Sequence, residues 1–333
     1  MLVQLSFSPQ LLREQLPDNL RRLDRDPANP ELLLRVAVSA YYAGRQDLAI
    51  EKLRAILAQD AYSPDANHYL GRIFLERGEL GEAKRYLLTA IERTATPVAS
   101  YYLYLGWVYE KEGSYNDAIR NLRLAKDLDN TSWEAFWRLG EVYAHLRVHD
   151  ATDTSLGLLE TAARLNPQAA AVQASLGRYQ EAAGAAQSAI EHYRSALRLS
   201  EASGELGRAD LAAIRTSLGK LLGESDPGEA LSHFRRAIRI GIELEDAART
   251  AARKPDLLLP ARWYWEAAYR AGGIHRDRRD LQAAAAYYRW VLPYVQGKPE
   301  EAAARRALGV IMQMVPASEI PEPDSMRTMT DLP

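Results

Sequence analysis

Cysteine is absent from the 333 residues of the chain, which excludes disulfide bonds and metal sites built on thiolates. No apolar run approaches the roughly 18 residues that a membrane-spanning helix needs. The first residues, MLVQLSFSPQ, lack the basic region and apolar run of a secretory signal. These absences predict a protein that spans no membrane and is located in the cytoplasm.

An excess of one charge is also lacking. The 42 lysines and arginines nearly balance the 44 aspartates and glutamates. Proteins that hold nucleic acid need a basic surface that releases counterions from the phosphates, and the balanced composition provides no such field. We therefore expect no nucleic-acid partner.

Motifs of catalysis are missing as well. Gly219-Lys220 has neither the spaced upstream glycine nor the serine or threonine of a phosphate-binding loop. The glycine-rich dinucleotide motif and the nucleophile elbow do not occur, and the six histidines are scattered. The sequence therefore predicts no catalytic residue, no cofactor and no enzymatic activity.

One group of residues has the spacing of metal ligands. His145 and His149 are four residues apart, so they would share a face of a continuous helix, with Asp150 and Asp153 close behind. Alternatively, His145 belongs to a binding groove and His149 to a solvated insertion, where no second shell of hydrogen bonds orients a ligand. We favour the second interpretation and predict no metal site.

What the sequence does contain is a repeat. Residues 99–132 read as two short antiparallel helices joined by a turn at Gly113, each with apolar residues at helical spacing. A Leu-Gly pair in the first helix recurs about every 35 residues, with its glycine at Gly71, Gly106, Gly140, Gly177 and Gly219. A small residue near the start of the second helix recurs at Ala49, Ala83, Ala118, Ser155, Ala189 and Ala230.

These positions resemble the pattern of the tetratricopeptide repeat (TPR) family. The pattern is matched by Tyr102, Leu105, Gly106, Tyr109, Ala118, Leu122 and Ala125. It is matched again by Phe136, Leu139, Gly140, Tyr143, Leu159, Ala162 and Pro167. The resemblance implies an all-α fold, a right-handed superhelical solenoid of helix-turn-helix repeats.

The repeat spacing divides the chain into four parts. Residues 1–29 are expected to form an N-terminal capping segment, and residues 30–244 six TPR-like repeats. Residues 245–315 are expected to form a degenerate seventh helical repeat and a C-terminal cap helix. Residues 316–333 have a composition that does not repay the entropy of ordering, so we predict a disordered tail.

The resemblance also implies where a partner binds. In TPR proteins peptides bind the concave wall of the superhelix, which is lined by first-helix residues that do not face the paired helix. Transferred position by position, this wall is lined by His68, Arg72, Leu103, Trp107, Trp137, Arg138, Glu141, His145, Arg178 and Lys220.

Two tryptophans of this wall, Trp107 and Trp137, belong to neighbouring repeats and are accompanied by arginines. Tryptophan and arginine are the residue types that most often anchor protein partners. We expect a peptide with apolar side chains and an acidic residue; alternatively, both indoles fill the interior of a tight superhelix. The positions by which chaperone-binding TPR proteins grip a C-terminal carboxylate hold Leu, Val or Trp here, which disfavours such a partner.

A second aromatic cluster lies near the C-terminus and contains Trp263, Tyr264, Trp265, Tyr288 and Trp290. Three consecutive helical positions cannot all face one core, so at least one ring is partly exposed. The cluster is either a docking surface or homodimer contact, or a packed core with one exposed ring. We slightly favour the core.

The repeat pattern therefore predicts a noncatalytic scaffold or adaptor that binds a peptide segment of a partner protein in the concave groove. The alternative is a regulatory sensor, whose groove binds a small ligand or signalling peptide and changes conformation. Insertions near residues 147–154 and 200–210 interrupt the repeat spacing. They are the candidate hinges of such a sensor, because hinges are often found at breaks between rigid elements.

Overall fold

The computed structural model describes residues 9–146, 154–250 and 262–320. In these ranges the chain forms sixteen α-helices and two short 3-10 helices, at Leu292–Tyr294 and Ala317–Glu319, and no β-strand. The first eight α-helices are Pro9–Leu23 (α1), Pro30–Tyr42 (α2), Gln46–Gln59 (α3), Pro64–Glu76 (α4), Leu80–Glu92 (α5), Ala99–Lys111 (α6), Tyr115–Leu128 (α7) and Trp133–Leu146 (α8). The others are Ser155–Leu165 (α9), Ala170–Ala182 (α10), Ala186–Ser203 (α11), Arg208–Leu222 (α12), Pro227–Thr250 (α13), Arg262–Asp277 (α14), Leu281–Val291 (α15) and Pro299–Ile311 (α16).

Most of the helices pack as consecutive pairs, from α2 with α3 to α14 with α15. Helix α1 packs against α2, and α16 packs against α15. In four of the pairs, α2–α3, α4–α5, α6–α7 and α10–α11, the turn is short and its glycine has the left-handed conformation that side chains disfavour, with φ of 74° at Gly44 and 76° at Gly113. The all-α fold of helix-turn-helix repeats is therefore confirmed.

Each Leu-Gly glycine is a point of close approach within its pair. A Cβ atom on Gly106 would lie 2.7 Å from Cγ of Leu122, and one on Gly177 would lie 2.5 Å from Cδ1 of Tyr193. The large side chain stands four residues after the small residue that opens the second helix, so both share one face. The repeating glycine is thus explained by packing inside the pair.

The chain divides into two compact units, Met1–Pro167 (unit 1) and Gln168–Pro333 (unit 2). In unit 1 the largest fully buried side chains include Leu53, Leu70 and Leu122. In unit 2 they include Tyr193 and Trp265. Each unit therefore has buried side chains of its own.

The insertion near 200–210 belongs to unit 2 and is partly helical. Helix α11 continues to Ser203 and ends at Gly204, which has a left-handed φ of 68°. The next residue, Glu205, accepts hydrogen bonds from the backbone N–H groups of Ala170 (2.9 Å) and Ala171 (3.0 Å) at the start of α10. The extra residues thus lengthen one helix and supply an N-terminal cap to another.

Two predicted boundaries differ from the structure. The boundary between residues 244 and 245 falls inside α13. The tail predicted to be disordered from residue 316 begins with an ordered segment, in which Ile320 is buried and its carbonyl accepts a hydrogen bond from Arg289 (3.4 Å). One apolar side chain and a few polar contacts order this segment, and residues 321–333 lie outside the described part.

The described rings of the C-terminal aromatic cluster are core residues. Trp265, Tyr288 and Trp290 are buried in unit 2. The side chains of Trp263 and Tyr264 lie outside the described part of the chain. The core interpretation therefore applies to these three rings.

Candidate binding surface on the first helices

In unit 1 the first helices of successive pairs contact one another: α2 contacts α4, α4 contacts α6, and α6 contacts α8. We call the surface formed by these four helices the first-helix face. It carries eight of the ten predicted groove residues: His68, Arg72, Leu103, Trp107, Trp137, Arg138, Glu141 and His145. Arg178 on α10 and Lys220 on α12 belong to unit 2.

The contacts between first helices follow a rule of position. The residue directly after the Leu-Gly glycine meets the residue two before the glycine of the next pair. Thus Cζ of Arg72 lies 4.4 Å from the ring centroid of Tyr104, and Cζ of Arg138 lies 3.8 Å from that of Trp107. These two positions are three residues apart on a helix and therefore share one side of it.

Arg72 is enclosed by tyrosine rings. Its Cζ atom lies 4.8 Å from the ring centroid of Tyr41 and 5.4 Å from that of Tyr69, in addition to the contact with Tyr104. Its Nη2 donates to the Tyr41 hydroxyl (3.2 Å), whereas its buried Nε has no hydrogen-bond partner. Burial raises the pKa of Tyr69 to about 12, so this ring stays neutral. Ring faces rather than a carboxylate hold the guanidinium.

His68 and Leu103 lie in the packed interior, not on an open wall as predicted. The imidazole of His68 has its centroid 4.7 Å from that of Tyr101 and 5.4 Å from that of Tyr104, and its buried Nδ1 has no hydrogen-bond partner. Burial, together with the nearby charge of Arg72, holds the pKa of His68 well below its usual value, so the ring is neutral. Side chains of the next pair, such as Tyr101 and Tyr104 against His68, cover this part of the wall. The repeat pattern within one pair does not predict that cover.

A sandwich of two indoles and one guanidinium lies further along the face. Cζ of Arg138 is 3.8 Å from the ring centroid of Trp107 and 4.1 Å from that of Trp137. Trp133 stacks on Trp137 with centroids 5.9 Å apart, so the aromatic surface continues to the start of α8. Both indoles of the sandwich are half-buried. The structure therefore brings Trp107, Trp137 and Arg138 together.

The sandwich contains polar atoms whose hydrogen-bonding capacity is unused. Oε2 of Glu110 is 3.7 Å from Nη1 of Arg138, too far for a hydrogen bond. Burial raises the pKa of Glu110 above its ordinary value. The Nε1–H group of Trp107 is buried and has no acceptor. An unpaired buried donor costs about 1–3 kcal/mol.

The remaining predicted groove residues are more open or engaged elsewhere. Glu141 is half-buried, and exposed His145 is hydrogen-bonded through Nε2 to the Tyr115 hydroxyl (2.9 Å). In unit 2, Nη2 of Arg178 donates to Ser175 (2.9 Å). Nζ of Lys220 lies 3.7 Å from a carboxylate oxygen of Glu181 and 3.6 Å from one of Glu266. Carboxylates of its own unit therefore partly balance the charge of Lys220.

Three of the four residues considered as metal ligands, His149, Asp150 and Asp153, lie outside the described residues. Within the ranges that the structure describes, no three or more histidines and carboxylates are grouped so that they could hold a metal ion. In those same ranges, every helix is too short or too polar to cross a bilayer.

The tyrosines around Arg72 were missed as a group by sequence reasoning. Tyr69 and Tyr104 occupy the same position of successive repeats, two residues before the glycine, and Arg138 occupies it next. This repeated position is the signal that could have found them. Of the residues at this position, only Arg138 is among the predicted groove residues, so the sequence prediction does not contain the row as a whole.

The family model of the tetratricopeptide repeat matches residues 70–132 and 139–204. The chain carries tetratricopeptide repeats in these two segments. The matched segments include Arg72 and Trp107 and both Leu-Gly glycines of α4 and α6. Repeats of this kind are in general a scaffold for protein interactions.

Two solved structures share the TPR fold over most of the chain. The APC/C hetero-tetramer Cut9-Hcn1 is 15% identical with a TM-score of 0.61, and the match covers 91% of this chain but 54% of that chain. The human IFIT1 dimer with PPP-AAAA is 17% identical with a TM-score of 0.56, covering 86% of this chain and 69% of that chain. At such identities the likeness shows the fold alone. No curated protein matches the sequence.

Proposed function

We propose that this protein is a noncatalytic scaffold or adaptor that binds a peptide segment of a partner protein on the first-helix face of unit 1. The observation that carries the proposal is the sandwich of Trp107, Arg138 and Trp137. It combines half-buried indoles, a cation and an unpaired N–H donor in neighbouring repeats. Aromatic and arginine side chains in such settings carry much of the energy of protein binding.

The chemistry of the sandwich defines the segment it would bind. Apolar side chains would pack on Trp137 and on the adjoining ring of Trp133. An acidic side chain would interact favourably with the guanidinium of Arg138. The expected ligand is a short peptide with one or two large apolar residues next to an acidic residue.

Peptide display tests this proposal directly. Peptides selected from a random library on the full chain are synthesised, and their affinity is measured for the wild type, Trp137→Ala and Arg138→Gln. We expect each substitution to weaken binding about tenfold or more, since each removes one anchor. Tyr62→Ala is the matched control, because Tyr62 is an exposed aromatic residue outside the first-helix face.

Folding is checked by circular dichroism and thermal unfolding of every variant. Selected peptides that bind Trp137→Ala and Arg138→Gln as tightly as the wild type would contradict the proposed site. Selected peptides without an acidic residue would contradict the role assigned to Arg138. Loss of binding in Tyr62→Ala alone would place the site elsewhere in unit 1.

The regulatory sensor stays the alternative prediction. Of its two candidate hinges, residues 147–153 lie outside the described part, and residues 200–210 contain the end of α11 and the Glu205 cap. Small-angle scattering separates the two functions. A profile that changes when a selected peptide is added would favour the sensor, and an unchanged profile with bound peptide would favour the scaffold.

A further inference from the structure

Helices α14, α15 and α16 of unit 2 enclose an open groove of about 820 Å³. Eleven residues line it, among them Arg276, Arg279, Leu281, Tyr288, Arg306 and Val310. The set combines apolar and aromatic side chains with three arginines. None of these lining residues is acidic.

The apolar part of the groove is exposed along α16. Val310 is 55% exposed and Met314, four residues later, is 68% exposed. Ala303 and Ala307 lie one helical turn apart on the same helix, and their small side chains permit another backbone to come close. Neighbouring exposed apolar side chains of this kind mark interaction surfaces.

The arginines give the groove a positive charge. Arg276 donates to the carboxylate of Asp277 next to it (2.8 and 2.9 Å). Arg279 and Arg306 are exposed, and no described carboxylate pairs with either of them. Arg279 adopts a left-handed φ of 63° in the turn between α14 and α15. Within the described residues, therefore, two cations without a carboxylate partner flank the apolar groove.

We propose that this groove binds an acidic amphipathic helix of a partner protein. A groove between helices suits a helical ligand, whose apolar residues at helical spacing would pack on Leu281, Val310 and Met314. Glutamates beside that apolar stripe would pair with Arg279 and Arg306. Charge complementarity selects an acidic segment over a basic one. The inference is independent of the peptide site proposed in unit 1.

A designed peptide is the probe for this site. It is a fluorescent helix of about five turns, with leucines on one face and glutamates on both flanks; a matched peptide carries lysines in place of the glutamates. We expect saturable binding of the glutamate peptide to the full chain, roughly tenfold or more tighter than binding of the lysine peptide.

The variant Arg279→Asn/Arg306→Gln removes both cations, and asparagine tolerates the left-handed backbone at 279. We expect it to weaken binding of the glutamate peptide about tenfold or more. Arg305→Gln is the matched control on the same helix, because Arg305 is paired with Glu301 (2.8 Å) and does not line the groove. We expect this control to bind the peptide like the wild type.

Three results would overturn the proposal. The first is equal affinity for the glutamate and lysine peptides, or binding that the double variant leaves unchanged. The second is self-association of the chain that displaces the probe, measured as a mass that doubles as the chain concentration rises. A second copy of the chain would then be the occupant. The third is saturable binding of laurate with no binding of either peptide, which would make the occupant an acyl chain.

Discussion

At the scale of single residues, Arg72 and His68 form the polar centre of unit 1. The guanidinium is held by the faces of Tyr41 and Tyr104, and contacts of this kind contribute about 0.5–2 kcal/mol each. The adjacent imidazole is buried against tyrosine rings and cannot gain a proton without losing its apolar surroundings. A fixed cation beside a neutral histidine makes the stability of unit 1 depend on pH.

The first prediction concerns that dependence. Burial lowers the pKa of His68 in the folded state, so between that value and the unfolded value of about 6.5 the unfolded chain binds more protons. The free energy of unfolding should therefore keep its full value above about pH 6.5. Below pH 6.5 it should decrease by on the order of 1 kcal/mol per pH unit, as long as only the unfolded chain is protonated. Denaturant unfolding of wild type and His68→Phe at pH 7.5 and 5.5 measures this loss.

His68→Phe keeps a ring in the same packing and should lose less stability at pH 5.5 than the wild type. Some loss will persist, because burial also lowers the pKa values of His233 and His275. His145→Phe, on the exposed end of α8, is the control and should behave like the wild type. The prediction is wrong if His68→Phe and the wild type lose equal amounts.

A second prediction at this scale concerns the Leu-Gly glycine. In Gly106→Ala the new Cβ would lie 2.7 Å from Cγ of Leu122 and 3.2 Å from its backbone nitrogen, so the helices must separate. We expect the free energy of unfolding to fall by about 1–3 kcal/mol. Gly81→Ala in α5 is the control, because a Cβ there meets nothing within 4 Å. It should leave stability unchanged or raise it by up to about 1 kcal/mol. Similar losses in both variants would show that close approach is not the cause.

At the scale of elements, local contacts maintain the spacing of the repeat. The insertion near residues 200–210 interrupts that spacing and supplies a cap to the N-terminus of α10. Helix α10 begins at Ala170 without a capping side chain of its own. Glu205, on the far side of α11, accepts from two of its first N–H groups. A carboxylate at a helix N-terminus also interacts favourably with the helix dipole. The insertion thus tethers α10 and α11 at one end of their pair.

The third prediction tests this cap. Glu205→Ala removes both acceptors from the start of α10, and we expect unit 2 to lose about 1–2 kcal/mol of stability. Hydrogen exchange should show the first amides of α10 opening faster than in the wild type. Glu224→Ala, an exposed carboxylate in the turn between α12 and α13, should change stability by less than about 0.5 kcal/mol. Unchanged exchange at Ala170 and Ala171 in Glu205→Ala would refute the cap.

At the scale of the whole molecule, stability is expected to be a sum over neighbouring pairs. Each pair contacts the pairs before and after it in its own unit. Repeat proteins of this design fold from nearest-neighbour interactions, because no single core unites the chain. Units 1 and 2 each contain buried side chains of their own.

The fourth prediction follows from this organisation. Fragments 1–167 and 168–333 should each be helical by circular dichroism and unfold cooperatively on heating. A fragment ending at Lys111 is the comparison, because it deletes α7 and leaves the face of α6 around Gly106 without Leu122. Its sixth helix should exchange amide hydrogens rapidly. A fragment 1–167 without a cooperative transition would disprove the independence of unit 1.

Much of the candidate site could be predicted from the sequence, and the reason is visible in particular residues. Trp107 and Trp137 were assigned to one face because their repeats are in register, and the structure joins them through Arg138. His68 was assigned to the same face but is covered. Its cover comes from Tyr101 and Tyr104 of the next pair, and repeat position alone says nothing about the size of that neighbour.

The sequence by itself determined the helix pair, its turn and its repetition, because these depend on contacts a few turns apart, such as that of Gly106 with Leu122. Only the tertiary structure decided which first-helix side chains are covered and which stay open. It also decided that Glu205 caps α10 and that Ile320 is buried. These outcomes depend on how one pair packs on another, and that packing is set by side-chain sizes and partners distant in the sequence rather than by the period of the repeat.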